Sequence, residues 1–147
     1  MSQTTWSGPL ASGDINAGKA GGPNIGLAVL SQTVLIDFDA TLVQNKTTYL
    51  PFGSQIVDVI VDELVAFNSA TSATLSVGTT SGGTEYVSGV NVKTTGRKSN
   101  SYSAAQLAAM DNIGSNGTVV ATVTSVGQPT AGQVRVTYLY VQTTAND

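Results

Sequence analysis

Neither cysteine nor histidine occurs anywhere in the 147 residues. Without cysteine there is no disulfide framework and no thiolate centre, and nothing in the chain reports on its redox compartment. Without histidine the chain has no Ser-His-Asp or Cys-His arrangement and no soft zinc site. It also lacks the one side chain whose ordinary pKa lies near neutrality. Most general acid–base chemistry thereby loses its usual carrier, and the chain reads as no enzyme and as needing no cofactor. Charge is scarce as well, with Asp, Glu, Lys and Arg at 10% against about 25% in an ordinary soluble domain. The cations Lys19, Lys46, Lys93, Arg97, Lys98 and Arg135 form no stripe, and the net charge is −3, which argues against direct nucleic-acid binding. No apolar run approaches the roughly 20 residues that span a bilayer. The start, Met1-Ser-Gln-Thr-Thr-Trp6, lacks the basic and apolar regions of a signal peptide. A chain that contacts no membrane and is assembled in the cytoplasm is expected from these absences.

Thr, Ser, Gly and Val fill the space that charge leaves. Such a surface solubilises itself through hydroxyls and is often covered by neighbours. The length suits one domain, which at this size removes roughly 70% of its unfolded surface from water. The chain divides near residue 25. Residues 1–25 are broken repeatedly by Gly and Pro and read as an extended Gly-rich arm. Trp6, Leu10 and Ile15 are spaced along it like anchors for grooves on another subunit, since large apolar groups on a flexible strip bury well only against a partner's pocket.

Residues 26–147 read as an all-β body, because period-2 alternation and Val, Thr, Ile and Tyr enrichment dominate. Strands are expected over 26–38, over 41–50 with an interruption near residues 44–46, and over 55–65. In the last of these Val57, Val59 and Val61 share one face, and Ile56, Asp58, Ile60 and Asp62 the other. A face mixing Ile with Asp suits a half-exposed or subunit-facing surface. Ala73, Leu75 and Val77 alternate with Thr74 and Ser76 between turns at 68–72 and 79–84, and the strands flanking each turn are expected to pair as hairpins. Ser103-Ala-Ala-Gln-Leu-Ala-Ala-Met110 is the single helical segment, with a Ser103/Gln106 capping box and Gly114 as its stop. Strands over 118–126 and 133–142 complete about eight, which predicts a β-sandwich of jelly-roll type with one short connector helix and the extended N-terminal arm.

Three apparent motifs fail on their own chemistry. Gly13-Asp-Ile-Asn-Ala-Gly-Lys19-Ala20 approaches a P-loop, but Ala20 stands where the magnesium-binding Ser or Thr belongs and no strand precedes it. Asp37 with Asp39, and Asp58 with Asp62, share strand faces and offer oxygens, yet a calcium site draws six or more from a loop. Solvated or subunit-pairing carboxylates are the better reading. Glu63 and Glu85, the only glutamates, have no reason from sequence to meet across a cleft as a glycosidase pair would. Arg97-Lys98 is the one local basic spot. It and Asp58 and Asp62 are the expected polar contacts to neighbours.

The stretches Pro51-Phe-Gly-Ser-Gln-Ile-Val-Asp-Val-Ile-Val-Asp62 and Phe67-Asn-Ser-Ala-Thr-Ser-Ala-Thr-Leu-Ser-Val-Gly-Thr79 resemble small virion proteins of tailed bacteriophages. So do Ser103 to Met110, Val120-Ala-Thr-Val-Thr124 and Ala131-Gly-Gln-Val-Arg-Val-Thr-Tyr138; together the resemblance covers residues 22–142. It implies a capsid decoration, or cement, protein. Such a protein binds the major capsid protein on the outside of the head, often as a homotrimer, and has no catalytic residues. A glycan- or receptor-binding module of a head fibre or tail, and a head–tail connector or tail component, are the alternatives.

Overall fold

Alternation of apolar and hydroxyl side chains runs through nearly every segment beyond residue 28, and in this computed structural model those segments are strands. The structure describes residues 11–12 and 26–142. In chain order the elements are β1 (Ala11–Ser12), β2 (Gly26–Leu27), β3 (Val29–Asp37), β4 (Val43–Tyr49), β5 (Gln55–Val65), β6 (Ser72–Gly78), β7 (Val87–Asn91), β8 (Gly96–Lys98), α1 (Ala104–Asp111), β9 (Thr118–Val126) and β10 (Gln133–Val141). The fold is all-β, in two antiparallel four-stranded sheets of order β3-β10-β5-β8 and β4-β9-β6-β7. A separate two-residue ladder joins β1, within the arm, to β2 at the start of the body, with Ala11 opposite Leu27; the arm's Gly and Pro content gave no sign of β1. Trp6, Leu10, Ile15 and the near P-loop at 13–20 lie outside the described residues.

The inner faces of the two sheets share one core. Ile36, Val59, Val61, Val134, Val136 and Tyr138 from the first sheet meet Leu75, Val77, Val119, Ala121 and Val123 from the second in a single buried cluster. In β9 Val119, Ala121 and Val123 are fully buried against the first sheet; on the opposite parity Val120 and Thr122 are buried too, and Thr124 and Val126 are exposed. The strands define two ends. At one end lie the loops 38–42, 66–71, 92–95 and 127–132; at the other lie 50–54, 79–86 and the α1 segment. α1 and the turn after it close that end by burying Met110 and Ile113, with the expected capping box at Ser103 and Gln106. The helix stops at Asp111 rather than at Gly114.

Three expectations are corrected. β4 runs unbroken through residues 44–46, held by seven consecutive pairs to β9. β5 does not pair with β6 as a hairpin; it lies in the other sheet, whereas β6 and β7 do pair. In β5 the register against β10 shifts twice, once between Asp58 and Ile56 and once between Val65 and Glu63. Each shift inserts an extra residue that a bulge turns outward. Val57 is therefore exposed at 48% while Ile56 takes the core position at 3%, the reverse of the face read from simple alternation. Asp58 and Asp62 remain on the outer side.

Gly117 sets the turn into β9. Its φ is +63°, it is buried, and a Cβ there would fall on the Leu50 carbonyl oxygen, while Leu50 N donates to Gly117 O at 2.8 Å. Gly117→Ala therefore costs left-handed strain of about 1–2 kcal/mol before the collision is counted. Thermal unfolding followed by circular dichroism should show a clearly lowered midpoint; an unchanged midpoint would contradict the packing described.

Candidate functional site

Exposed large apolar side chains lie at both ends of the sandwich, Val29, Tyr49, Phe52, Val57 and Leu107 at the α1 end and a set of seven at the other. A polar feature lies on one sheet face. The set of seven crowns the end formed by loops 38–42, 66–71 and 127–132. Leu35, Phe38, Leu42, Val43, Leu64, Val65 and Val126 are all between 41% and 53% exposed there. They arise from different local causes. Leu64 and Val65 follow from the second β5 bulge, Leu35 and Val43 from the outward parity of β3 and β4, and Phe38 and Leu42 from the turn between them. Large apolar side chains grouped at one end of a domain mark an interaction surface more often than isolated ones do.

The loops beneath this crown are braced. Asn68 Oδ1 accepts from Thr130 N at 2.8 Å and Ala131 N at 3.1 Å, and its Nδ2 donates to Thr130 Oγ1 at 2.8 Å. Gln128 Nε2 donates to Ala40 O at 2.8 Å, which ties the 127–132 loop to the 38–42 loop. Buried Gln44 spans the base of 38–42: with its amide oriented to suit both partners it donates to Asp37 O and accepts from Asp39 N. Asp39 in turn accepts from Thr41 N at 2.7 Å, and the Thr41 bonds hold its carboxyl below the ordinary range. A surface held this way meets a partner with little ordering left to do.

The polar feature occupies the outer face of the first sheet. Asp62 accepts from Arg97 Nε at 2.6 Å and Nη2 at 3.0 Å, and from Arg135 Nη2 at 2.8 Å. The register causes this, because Asp62 faces Arg97 on β8 and Arg135 on β10. The Arg97 and then the Arg135 hydrogen bonds hold the Asp62 carboxyl well below the usual carboxylate range. Asp58 accepts from Tyr102 Oη at 2.6 Å and Val59 N at 2.8 Å. Burial first, then the Asp58 bond, raises the Tyr102 phenol. Of the sequence-derived polar residues, Asp62 and Arg97 are thus brought together. Asp58 is tied to Tyr102, and Lys98 turns aside to Thr94, where Nζ donates to Oγ1 at 2.7 Å. Arg135 and Tyr102 were missed. Arg135 was legible, since it lies on the outward parity of the last strand; Tyr102 lies in a loop, where no period speaks.

Beside this face, between the edges of β7 and β8, a groove of about 480 Å³ is lined by Ser88, Asn91, Arg97, Lys98, Asn100 and Tyr102 among others. Among the described residues no group of three or more Asp and Glu side chains is placed to hold a metal ion. Asp37 instead accepts from Gln133 at 2.6 Å and Asp39 from Thr41, so that pair does not converge on one point.

Glu63 is the residue that sequence reading placed least well. Its parity with Val59 and Val61 turns it into the core, 2% exposed, opposite Val134, with no well-formed hydrogen bond to either carboxylate oxygen. Burial pushes its carboxyl up to about 8, against smaller opposing pulls from Lys98 and then the Phe67 backbone.

Compared with protein-family models, with curated proteins and with solved structures, the chain matches none. No helix among the described residues is long and apolar enough to cross a membrane.

Proposed function

We propose that this is a virion structural protein rather than an enzyme, a jelly roll that decorates and stabilises the capsid of a tailed phage by binding the outside of the major capsid protein shell. The pairings β3 with β10, β4 with β9, β5 with β8 and β6 with β7 are those of one long antiparallel hairpin. Folded over, its successive pairs fall alternately into two sheets, the double-sheet arrangement common among capsid and lectin domains. Fold alone does not choose between those roles. The observation that carries the reading is the crown of seven exposed apolar side chains on strand ends and the braced loops between them, which suits a protein partner. Weak contacts of this kind, repeated over a shell, resist internal pressure through avidity. The resemblance of residues 22–142 to phage virion proteins points the same way.

Mass spectrometry and cryo-imaging of purified particles test the proposal. A copy number comparable with that of the major shell protein supports decoration; a handful per particle sinks it in favour of a fibre or connector. The double substitution Phe38→Ser with Leu42→Ser removes two exposed anchors and leaves the core intact. It is expected to weaken attachment to undecorated heads at least about tenfold, as loss of central apolar contacts does. Full attachment by the double variant would place the binding surface elsewhere. Deleting residues 1–20 separately asks whether the arm clamps the shell.

A glycan-binding role on a head fibre or tail is the second reading, favoured by the β7–β8 groove with its hydroxyl, amide and Tyr102 lining. Binding of a glycan panel that survives Phe38→Ser and Leu42→Ser but is lost with Asn100→Ala and Tyr102→Ala would support it.

A further inference from the structure

Each sheet ends in two strands whose outer backbone edge is a template for pairing with another chain, and soluble β proteins blunt such edges. Three of the four here are blunted. β8 is only three residues long and carries Arg97 and Lys98. β7 is interrupted by a register shift, with Gly89 at φ +62° inside it. β4 carries Lys46, an exposed charge in the middle of the edge strand, opposite Ala121. β3 has none of these devices. It pairs with β10 through nine consecutive residues without a shift, and Val29-Leu-Ser-Gln-Thr-Val-Leu-Ile-Asp37 contains no Gly, Pro, Lys or Arg. Among the described residues its other edge pairs with no strand. Apolar side chains on both of its faces stay partly open: Val29 and Leu35 outside, Leu30 and Val34 inside.

We infer that the β3 edge joins two copies of this chain, β3 against β3, antiparallel across a twofold axis at Thr33. The strand is complementary to itself in this register. Thr33 faces Thr33, Ser31 faces Leu35, Leu30 faces Ile36, and the only charge, Asp37, faces Val29 of the second copy. A parallel pairing would set Asp37 beside Asp37. The antiparallel one joins the two first sheets into a continuous eight-stranded sheet and closes as a dimer. This contact goes beyond the decoration reading and does not use the apolar crown.

The absence of native cysteine makes the register directly testable in the full chain. Directly opposed residues in an antiparallel pair have Cα atoms about 4.5–5.5 Å apart, inside the disulfide range of about 4.4–6.8 Å. Under mild oxidation Thr33→Cys should cross-link most of the protein into a covalent dimer. Ser31→Cys and the exposed β4 control Thr47→Cys should cross-link no more than chance collision allows. Thr33→Lys sets like charges face to face and should shift the uncross-linked protein from dimer to monomer in sedimentation, with its circular dichroism unchanged. A wild-type monomer at high concentration, a Thr33→Lys dimer, or an oligomer whose Thr33→Cys form does not cross-link would each overturn the inference.

Discussion

Between pH 5 and pH 8 the protein is expected to lose stability steadily, by about 1.4 kcal/mol per pH unit at the steepest point, the value for one proton. The cause is Glu63. In the unfolded chain its carboxyl ionises near its ordinary 4.5, whereas burial in the fold holds it protonated to about 8. A group whose pKa is raised on folding contributes stability that is complete below the unfolded value and is lost as pH climbs through the folded one. Above about 8 both states are ionised and the loss levels off. The groups facing Glu63 cannot cancel it. Val134 and Gly96 oppose it in the ladders, Lys98, the cation that lowers it, is bonded to Thr94, and the Phe67 backbone, which also lowers it, acts more weakly still. Asp62, Asp39 and Glu85 shift downward instead; their contribution grows with pH and is complete below the window in which Glu63 acts. Chemical denaturation at half-unit pH steps should give a maximum near pH 5. Glu63→Gln, an isostere without a proton to lose, should flatten the profile from 5 to 8. A wild-type profile already flat over that range would show that the carboxylate finds a partner in solution.

The same residue shows where sequence was readable. Alternation placed the inner face of β6 correctly, Ala73, Leu75 and Val77, because that strand keeps its parity through those residues. The capping box was legible because it is a local exchange between Ser103 and Gln106 that needs no tertiary partner. β5 failed at its bulges: an extra residue reverses the parity of all that precedes it, and neither Val57 nor Leu64 carries a local mark such as Gly. The parity of Val59 and Val61 did run on to Glu63, but a carboxylate on an apolar face is ordinarily assumed to find solvent. Sheet partners were illegible for a different reason. β5 pairs with β8 and β10 across long separations, and such pairing depends on how the whole hairpin folds over. The apolar crown is likewise a sum of one bulge, two strand parities and a turn, visible only when the ends of the strands are brought together.

Phe67→Ala is expected to destabilise the protein by about 3–5 kcal/mol, the usual cost of emptying a fully buried aromatic site. The ring is 0% exposed and packs so closely on Gly132 that a Cβ there would meet it at 2.5 Å. Its backbone is equally committed: Phe67 N donates to Val92 O at 3.0 Å, and the next residue, Asn68, holds the 127–132 loop by its side chain and through Asn68 N to Ala131 O at 3.3 Å. Phe67 and Asn68, by ring, backbone and amide together, thus tie three of the four loops at the crowned end, and the ring is the part that packs on Gly132. Truncation should therefore act locally as well as globally, and amide hydrogen exchange should quicken first at residues 66–71, 92–95 and 127–132 while α1, at the opposite end, keeps its protection. Attachment to undecorated heads should fall along with that loosening, because a crown on unbraced loops must be ordered at binding. Phe67→Leu, which keeps part of the volume, should recover part of both the stability and the attachment. If Phe67→Ala loosened the loops but bound as before, the apolar crown would not be the contact surface.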